Sequence, residues 1–137
     1  MSLTRIIQPI FASRRRALDK YQTQAEQLQM QVLHRLVNKA KDTEWGRNHG
    51  FASVSSYEDF AKTSDVNTYE ELKLAIDRMR QGESDILWPG KVRWYAKSSG
   101  TTNDKSKFIP VSKDGLKDTH YAGGRDAVTW YLRNNPQ

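Results

Sequence analysis

The chain has 137 residues, of which 36% are hydrophobic, a mean hydropathy of −0.83 and a formal net charge of +6. That is the length of one domain. With no cysteine, a disulfide framework and a thiolate metal site are both excluded, which fits a reducing, cytoplasmic setting. No apolar run approaches the roughly 20 residues that span a bilayer, so no membrane partner is expected.

The composition is lean for a core but not that of a disordered chain, because 4 Trp, 6 Tyr and 4 Phe supply large apolar bodies. The positive charge permits an anionic partner without naming one. Neither an aromatic ribonucleoprotein motif nor zinc-finger spacing occurs, so nucleic acid is not expected as a partner. His34, His49 and His120 are far apart and none has an H-x-x-x-H partner, so they read as surface or core histidines rather than ligands.

In chain order, "LTRIIQPIFASRRR" carries no acid until Asp19. That composition is faintly that of a transit peptide or a membrane-surface helix, but its apolar run is short and interrupted by Pro9. A short packing helix before the first long one is the plainer reading, with Arg14, Arg15 and Arg16 on a solvated face. Residues 15–41 are predicted to be one long helix, because Leu18, Tyr21, Ala25, Leu28, Val32, Leu36 and Ala40 recur at spacings of three and four. About three heptads favour docking within the same protein over a coiled coil. In "DTEWGRNHGF", Gly46 and Gly50 are expected at positive φ, with Trp45 and Phe51 pinning the loop. A short helix follows in "SSYEDF", with Ser55 and Glu58 at capping-box spacing. "NTYEELKLAIDRMRQG" predicts a helix over 69–81: Thr68 caps it, Glu71 completes the box, Leu72, Ile76 and Met79 form the stripe, and Gly82 stops it. "WPG" at 88–90 is a turn.

Val92, Trp94 and Ala96 alternate with Arg93, Tyr95 and Lys97, the period of a strand, and "SKFIPV" at 106–111 is a second short strand in which Pro110 marks an edge or an end. A last helix is expected over 113–133 after a Ser112 cap, with Leu116, Tyr121, Val128, Tyr131 and Leu132 as its buried side. Gly123-Gly124 costs about 1 kcal/mol per residue inside a helix, and a close approach by another backbone would explain the pair. The fold expected is α+β and mainly helical: a long N-terminal helix, several shorter helices and one small strand pair around residues 98–105.

Between the strands lies Ser98-Ser99-Gly100-Thr101-Thr102, with Lys105 and Lys107 following. This is not a Walker-A sequence, which needs G-x-x-x-x-G-K-(S/T) ahead of a helix. The elements of an anion site are nonetheless present. Gly100 lets the backbone curl so that consecutive N–H groups converge, the hydroxyls of Ser98, Ser99, Thr101 and Thr102 add donors, and the lysines bring charge suited to a leaving pyrophosphate. The bland alternative is a flexible hairpin tip whose hydroxyls only solvate it.

"SSGTTNDKSKFIP" resembles the phosphate-loop motif of the acyl-adenylate-forming superfamily, in the form S-S-G-T-(S/T)-x-G-x-x-K used by the GH-three (auxin-responsive promoter) family of acyl-acid amido synthetases. "TEWGRNHGF", "VNTYEELKLAIDRM" and "LWPGKVRWYAKSSGTT" are similar to the same family's N-terminal region, so the resemblance covers about residues 40–125. Asp104 stands where the family pattern has glycine, and a carboxylate there is electrostatically unwelcome unless it faces away or meets a magnesium ion. Family members are several times longer, so residues 1–137 look like the N-terminal portion of an adenylate-forming domain, itself part of a larger α/β architecture.

The resemblance implies an ATP- and Mg2+-dependent ligase that adenylates a carboxylic acid and then forms an amide with an amine or amino acid. It implies that Ser98, Ser99, Gly100, Thr101 and Thr102, with Lys105, hold the β- and γ-phosphates, and that Lys107 is the catalytic counter-charge. This segment alone would be inactive, because the adenine, ribose and acyl sites belong to later motifs. Two other classes stay open: a non-catalytic homologue acting as an oligomerising or interaction module, and a basic surface-binding protein whose loop is incidental. The exposed faces of such a segment would make it a homo-oligomer, through Leu28, Val32, Leu36, Val128 and Tyr131.

Overall fold

The computed structural model describes residues 3–63, 65–99 and 106–135. Its elements run α1 (Leu3–Asp19), α2 (Ala25–Ala40), α3 (Glu44–Asn48), α4 (Tyr57–Thr63), α5 (Tyr69–Arg80), β1 (Trp94–Lys97), β2 (Phe108–Val111), α6 (Lys113–Gly115) and α7 (Ala122–Asn134), with a π-helical turn at Leu116–Tyr121 between the last two. The chain is mainly helical, with one two-stranded antiparallel sheet. It divides into two compact units, residues 30–113 and residues 1–29 with 114–137.

The larger unit is built around Met79, Ile86 and Val92, with Ala75, Leu87 and Tyr95 packed against them. α5 supplies the centre of this cluster, and both of its ends are chemically fixed. Thr68 accepts the Glu71 N–H at 3.4 Å while Glu71 accepts the Thr68 N–H at 2.6 Å, the expected capping box. At the other end Gly82 has φ 104°, its N–H reaches the Met79 carbonyl at 3.1 Å, and the Glu83 N–H reaches Arg78 at 3.2 Å, which is a Schellman stop.

α3 is held just as tightly. Thr43, 1% exposed, donates to the Ala40 carbonyl at 2.7 Å and accepts the Gly46 N–H at 3.0 Å. The next free amides of the helix, Glu44 and Trp45, donate to the Asp85 and Ile86 carbonyls at 2.8 and 3.0 Å, so α3's orphan donors are satisfied by the loop after α5. Arg78 ties the same two segments together through Glu44 at 2.7 Å and Glu83 at 2.7 Å.

Gly50 has the expected left-handed backbone, φ 61°, but Gly46 lies inside α3 and is needed for another reason: a Cβ there would sit 2.1 Å from the Ala40 carbonyl oxygen. The cap of α4 is shifted by one residue from the Ser55/Glu58 pair. Ser56 Oγ accepts the Asp59 N–H at 3.0 Å, and Asp59 in turn accepts from the Ser55 and Ser56 amides, both at 3.1 Å. His49 stacks on Trp45 with centroids 3.9 Å apart, and His34 meets the Ser55 carbonyl at 2.8 Å, both structural roles.

In the smaller unit α1 and α7 are joined by a bidentate ion pair, Arg14 Nε to Asp126 Oδ1 at 2.5 Å and Nη2 to Oδ2 at 2.6 Å, and by Arg133 to Asp19 at 2.6 Å. Arg14 is therefore not solvated with its neighbours, and Pro9 lies inside α1 instead of ending it.

The helix expected over 15–41 is two helices separated by a 3-10 turn at Lys20–Gln22, where the Gln24 N–H turns back to the Lys20 carbonyl at 2.8 Å. Of the expected stripe α2 buries Ala40 and half-buries Leu28, while Val32 and Leu36 are 45% and 41% exposed, because its inward face runs through Leu33 and Val37, one residue on from them. Downstream, the helix expected over 113–133 is divided by the π turn at Leu116–Tyr121. α7 buries Leu132, as expected, together with Thr129, but leaves Val128 and Tyr131 exposed, and Tyr121 in the π turn is exposed as well. Nothing lies within 4 Å of a Cβ built on Gly123 or Gly124, so the close backbone approach expected there is absent among the described residues.

The glycines yield opposite expectations. Gly46→Ala forces the Ala40 carbonyl to move and costs about 1–3 kcal/mol, whereas Gly123→Ala, with open space around it, gains about 1 kcal/mol of helix stability. Urea unfolding midpoints of the two variants move in opposite directions. A second expectation concerns pH. Glu44 is held below the ordinary carboxylate range by Arg78, Asp59 by the Ser55 hydroxyl, Glu71 by the Thr68 N–H, Asp85 by the Gly90 N–H and Asp126 by Arg14. Carboxyls with lowered folded values stabilise above the unfolded values near pH 4 and lose that contribution as pH falls through the folded ones. Thermal melts therefore give a constant Tm down to about pH 5 and a falling one below it.

Candidate functional site

The strand pair places the two feet of the hydroxyl-rich loop side by side. β1 and β2 pair in the register Trp94↔Val111, Tyr95↔Pro110, Ala96↔Ile109 and Lys97↔Phe108. One step further on, the Ser98 N–H donates to the Lys107 carbonyl at 3.0 Å and the Lys107 N–H donates to Ser98 Oγ at 3.0 Å. A two-point clasp thus joins the first expected phosphate ligand to the expected counter-charge. Ser98 and Lys107 are half-buried and Ser99 is exposed. Gly100, Thr101, Thr102 and Lys105, also expected to hold phosphate, lie outside the described residues, as does Asp104.

α5 sets the position of this clasp from its two ends. Tyr69, in its first turn, accepts the Phe108 N–H on its phenol oxygen at 3.0 Å. The Lys107 ammonium lies 5.4 Å from the centroid of the same ring, inside cation–π range. Arg80, in the last turn, stacks its guanidinium 3.7 Å over the Phe108 ring and pairs with Asp77 at 3.0 Å. Lys107 and Phe108 therefore both meet residues of α5.

The sheet alternates as a strand pair should, but Trp94 and Ala96 lie on its exposed face. Tyr95 faces the core, and burial raises its phenol pKa, while Trp94 and Ile109 are 53% and 54% exposed. Tyr69 and Arg80 were not singled out by the sequence pattern, although a signal for Tyr69 exists: the stripe Leu72, Ile76, Met79 extends back by three residues to it.

Chemically, the foot of the loop offers two serine hydroxyls and one ammonium, a donor set that suits an oxyanion. It fits a magnesium ion only as a companion of phosphate oxygens, since a magnesium site usually also draws on a carboxylate or two. No cluster of His, Cys, Asp and Glu that could hold a metal occurs among the described residues. No described helix is long and apolar enough to cross a membrane.

The chain matches the GH3 family N-terminal domain over residues 14–137. Indole-3-acetic acid-amido synthetase GH3.5 of Arabidopsis thaliana is 29% identical over 100 residues, which is 72% of this chain and 16% of that protein. GH3.15 of the same plant, also an indole-3-acetic acid-amido synthetase, is 31% identical over 101 residues, 73% of this chain and 17% of that protein. Jasmonoyl–L-amino acid synthetase JAR4 of Nicotiana attenuata is 25% identical over 96 residues, covering 69% and 17% respectively. The chain thus spans about a sixth of the length of the curated relatives it matches, and within that span its residues place it in the GH3 family, in that family's N-terminal domain.

Proposed function

We propose that this chain is the phosphate-loop-bearing part of an ATP-dependent acyl-acid amido synthetase, which adenylates a carboxylic acid and then transfers the acyl group to an amine such as an amino acid. The observation that carries this reading is the clasp between Ser98 and Lys107 at the foot of the Ser-Ser-Gly-Thr-Thr segment, in a chain whose relatives include proteins named as indole-3-acetic acid-amido synthetases.

In the first half-reaction a carboxylate oxygen attacks the α-phosphorus of ATP and pyrophosphate leaves. The protein's task is to hold the triphosphate in line and offset the charge that develops on the leaving group. Ser98, Ser99, Gly100, Thr101 and Thr102 would hold the β- and γ-phosphates through hydroxyl and backbone N–H groups, and Lys105 and Lys107 would supply positive charge. Magnesium, carried in with the nucleotide, would neutralise part of the phosphates' charge. In the second half-reaction the amine displaces AMP, and none of these residues selects the acid or the amine.

A second reading, an interaction module that self-associates, is favoured by exposed apolar side chains: Val32 at 45%, Leu36 at 41%, Val128 at 43% and Tyr131 at 64%, whereas Leu28 is half-buried. Apolar surface of this kind finds partners when it forms patches of several hundred Å². Light scattering of the chain at high concentration is expected to give a dimer or larger, and a clean monomer removes this reading.

For the catalytic reading, the chain by itself should give no acid-dependent release of pyrophosphate from ATP. In an enzyme carrying this segment within the full length of its relatives, Lys107→Ala should lower adenylate formation by about 10²–10³, the usual cost of losing a group that meets developing charge. Urea stability should change by no more than about 0.5 kcal/mol. An Lys105→Ala variant that abolishes adenylation while Lys107→Ala leaves it intact would transfer the role to Lys105, and indifference of both would remove the phosphate-loop assignment.

A further inference from the structure

We infer that Tyr69 is a positioning residue for the phosphate site, its ring seating the Lys107 ammonium while its hydroxyl fixes the strand that carries it. The inference rests on the phosphate-loop reading of residues 98–107. A lysine on a four-carbon stem samples many rotamers, and a cation that must meet an anion in one place gains from a rigid rest. Tyr69 supplies two contacts at once. Its phenol oxygen accepts the N–H of Phe108, the residue next to Lys107, at 3.0 Å, and its ring lies 5.4 Å from Lys107 Nζ. The Lys107 N–H is already held by Ser98 Oγ at 3.0 Å. Backbone and side-chain tip of Lys107 are thereby both tied, and Tyr69 provides the tie at the tip.

Tyr69 is itself well placed to act as a fixed platform. It is the first residue of α5, inside the capping box of Thr68 and Glu71, and the helix it opens runs into the core at Ile76 and Met79. A tyrosine has few rotatable bonds, so little freedom is lost when it is held. The π face also leaves the lysine's charge in place and its N–H donors usable, since a ring attracts a cation without neutralising it.

A purely structural tyrosine would act through its hydroxyl on strand β2. A seat for Lys107 acts through its ring. Four variants separate the two: Tyr69→Phe, Tyr69→Leu, Lys107→Met, and the double variant Tyr69→Leu with Lys107→Met. Each is titrated as the full chain with inorganic pyrophosphate at low ionic strength by calorimetry, with thermal melts alongside. Tyr69→Phe keeps the ring and should bind within about twofold of the parent. Tyr69→Leu should bind about five- to tenfold more weakly, the size of a part-buried cation–π contact. Both lose the hydroxyl and should lower Tm by similar amounts, so affinity and stability part company.

The double variant should bind no more weakly than Lys107→Met alone, because a residue that acts through Lys107 has nothing to act on once it is gone. If Lys107→Met weakens binding while Tyr69→Leu does not, or if the two losses multiply in the double variant, the role assigned to Tyr69 is overturned and the phosphate site stands. Absence of pyrophosphate binding by the parent, or unchanged binding by Lys107→Met, overturns the phosphate site and the role of Tyr69 with it.

Discussion

A pair of four-residue strands does not hold itself together in water, and here the pair carries the loop on which the function turns. What holds it is the grip of α5 on Phe108, from the Tyr69 phenol on its backbone N–H and from the Arg80 guanidinium on its ring. α5 can exert that grip because it is itself fixed. Met79 is 2% exposed and Ile76 3%, and Arg78, between the two in sequence, bridges Glu44 and Glu83. The position of Lys107 therefore follows from the burial of a methionine and an isoleucine on another element. A cavity opened at Met79 would cost stability first, and through the tilt of α5 it would also displace the loop's foot.

Legibility in the sequence followed how local the determining physics was. The capping box of Thr68 and Glu71, the stop at Gly82 and the strand pair around residues 98–105 depend on neighbours within a few positions, and all stand in the structure. The break at Lys20–Gln22 was not legible, because neither glycine nor proline marks it, and the apolar spacing of Leu18, Tyr21, Ala25 and Leu28 runs straight across it. The π turn at Leu116–Tyr121 follows Gly115, but its apolar spacing does not distinguish it from an α-helical turn. In α2 and α7 the inward face also lies one residue off the predicted one, so Ala40 and Leu132 are buried as predicted while Val32, Leu36, Val128 and Tyr131 are exposed. At the site, the residue types of the loop and the pairing of its feet could be read, whereas the contacts of Tyr69 and Arg80 with the second strand join positions 39 and 28 residues apart, beyond any periodic pattern.

The carboxylates of α5 explain why an aromatic ring, not an acid, faces Lys107. Glu71 is taken up by the Thr68 cap, Asp77 pairs with Arg80 at 3.0 Å, and Glu70 lies 3.8 Å from Lys73. Each acid is engaged within its own turn, and the helix presents to the strand a phenol at one end and a guanidinium at the other. An acid in place of Tyr69 would attract Lys107 more strongly than a ring does, with an interaction that scales as the inverse of distance in a poorly screened site. It would also repel the phosphate that the lysine is there to meet, and part of the lysine's attraction for that phosphate would go to undoing the internal pair. A ring holds the ammonium by its quadrupole, whose field falls off faster than that of a charge. The weaker contact is thus the more useful one at an anion site, because it gives the cation a position without giving it a counter-ion.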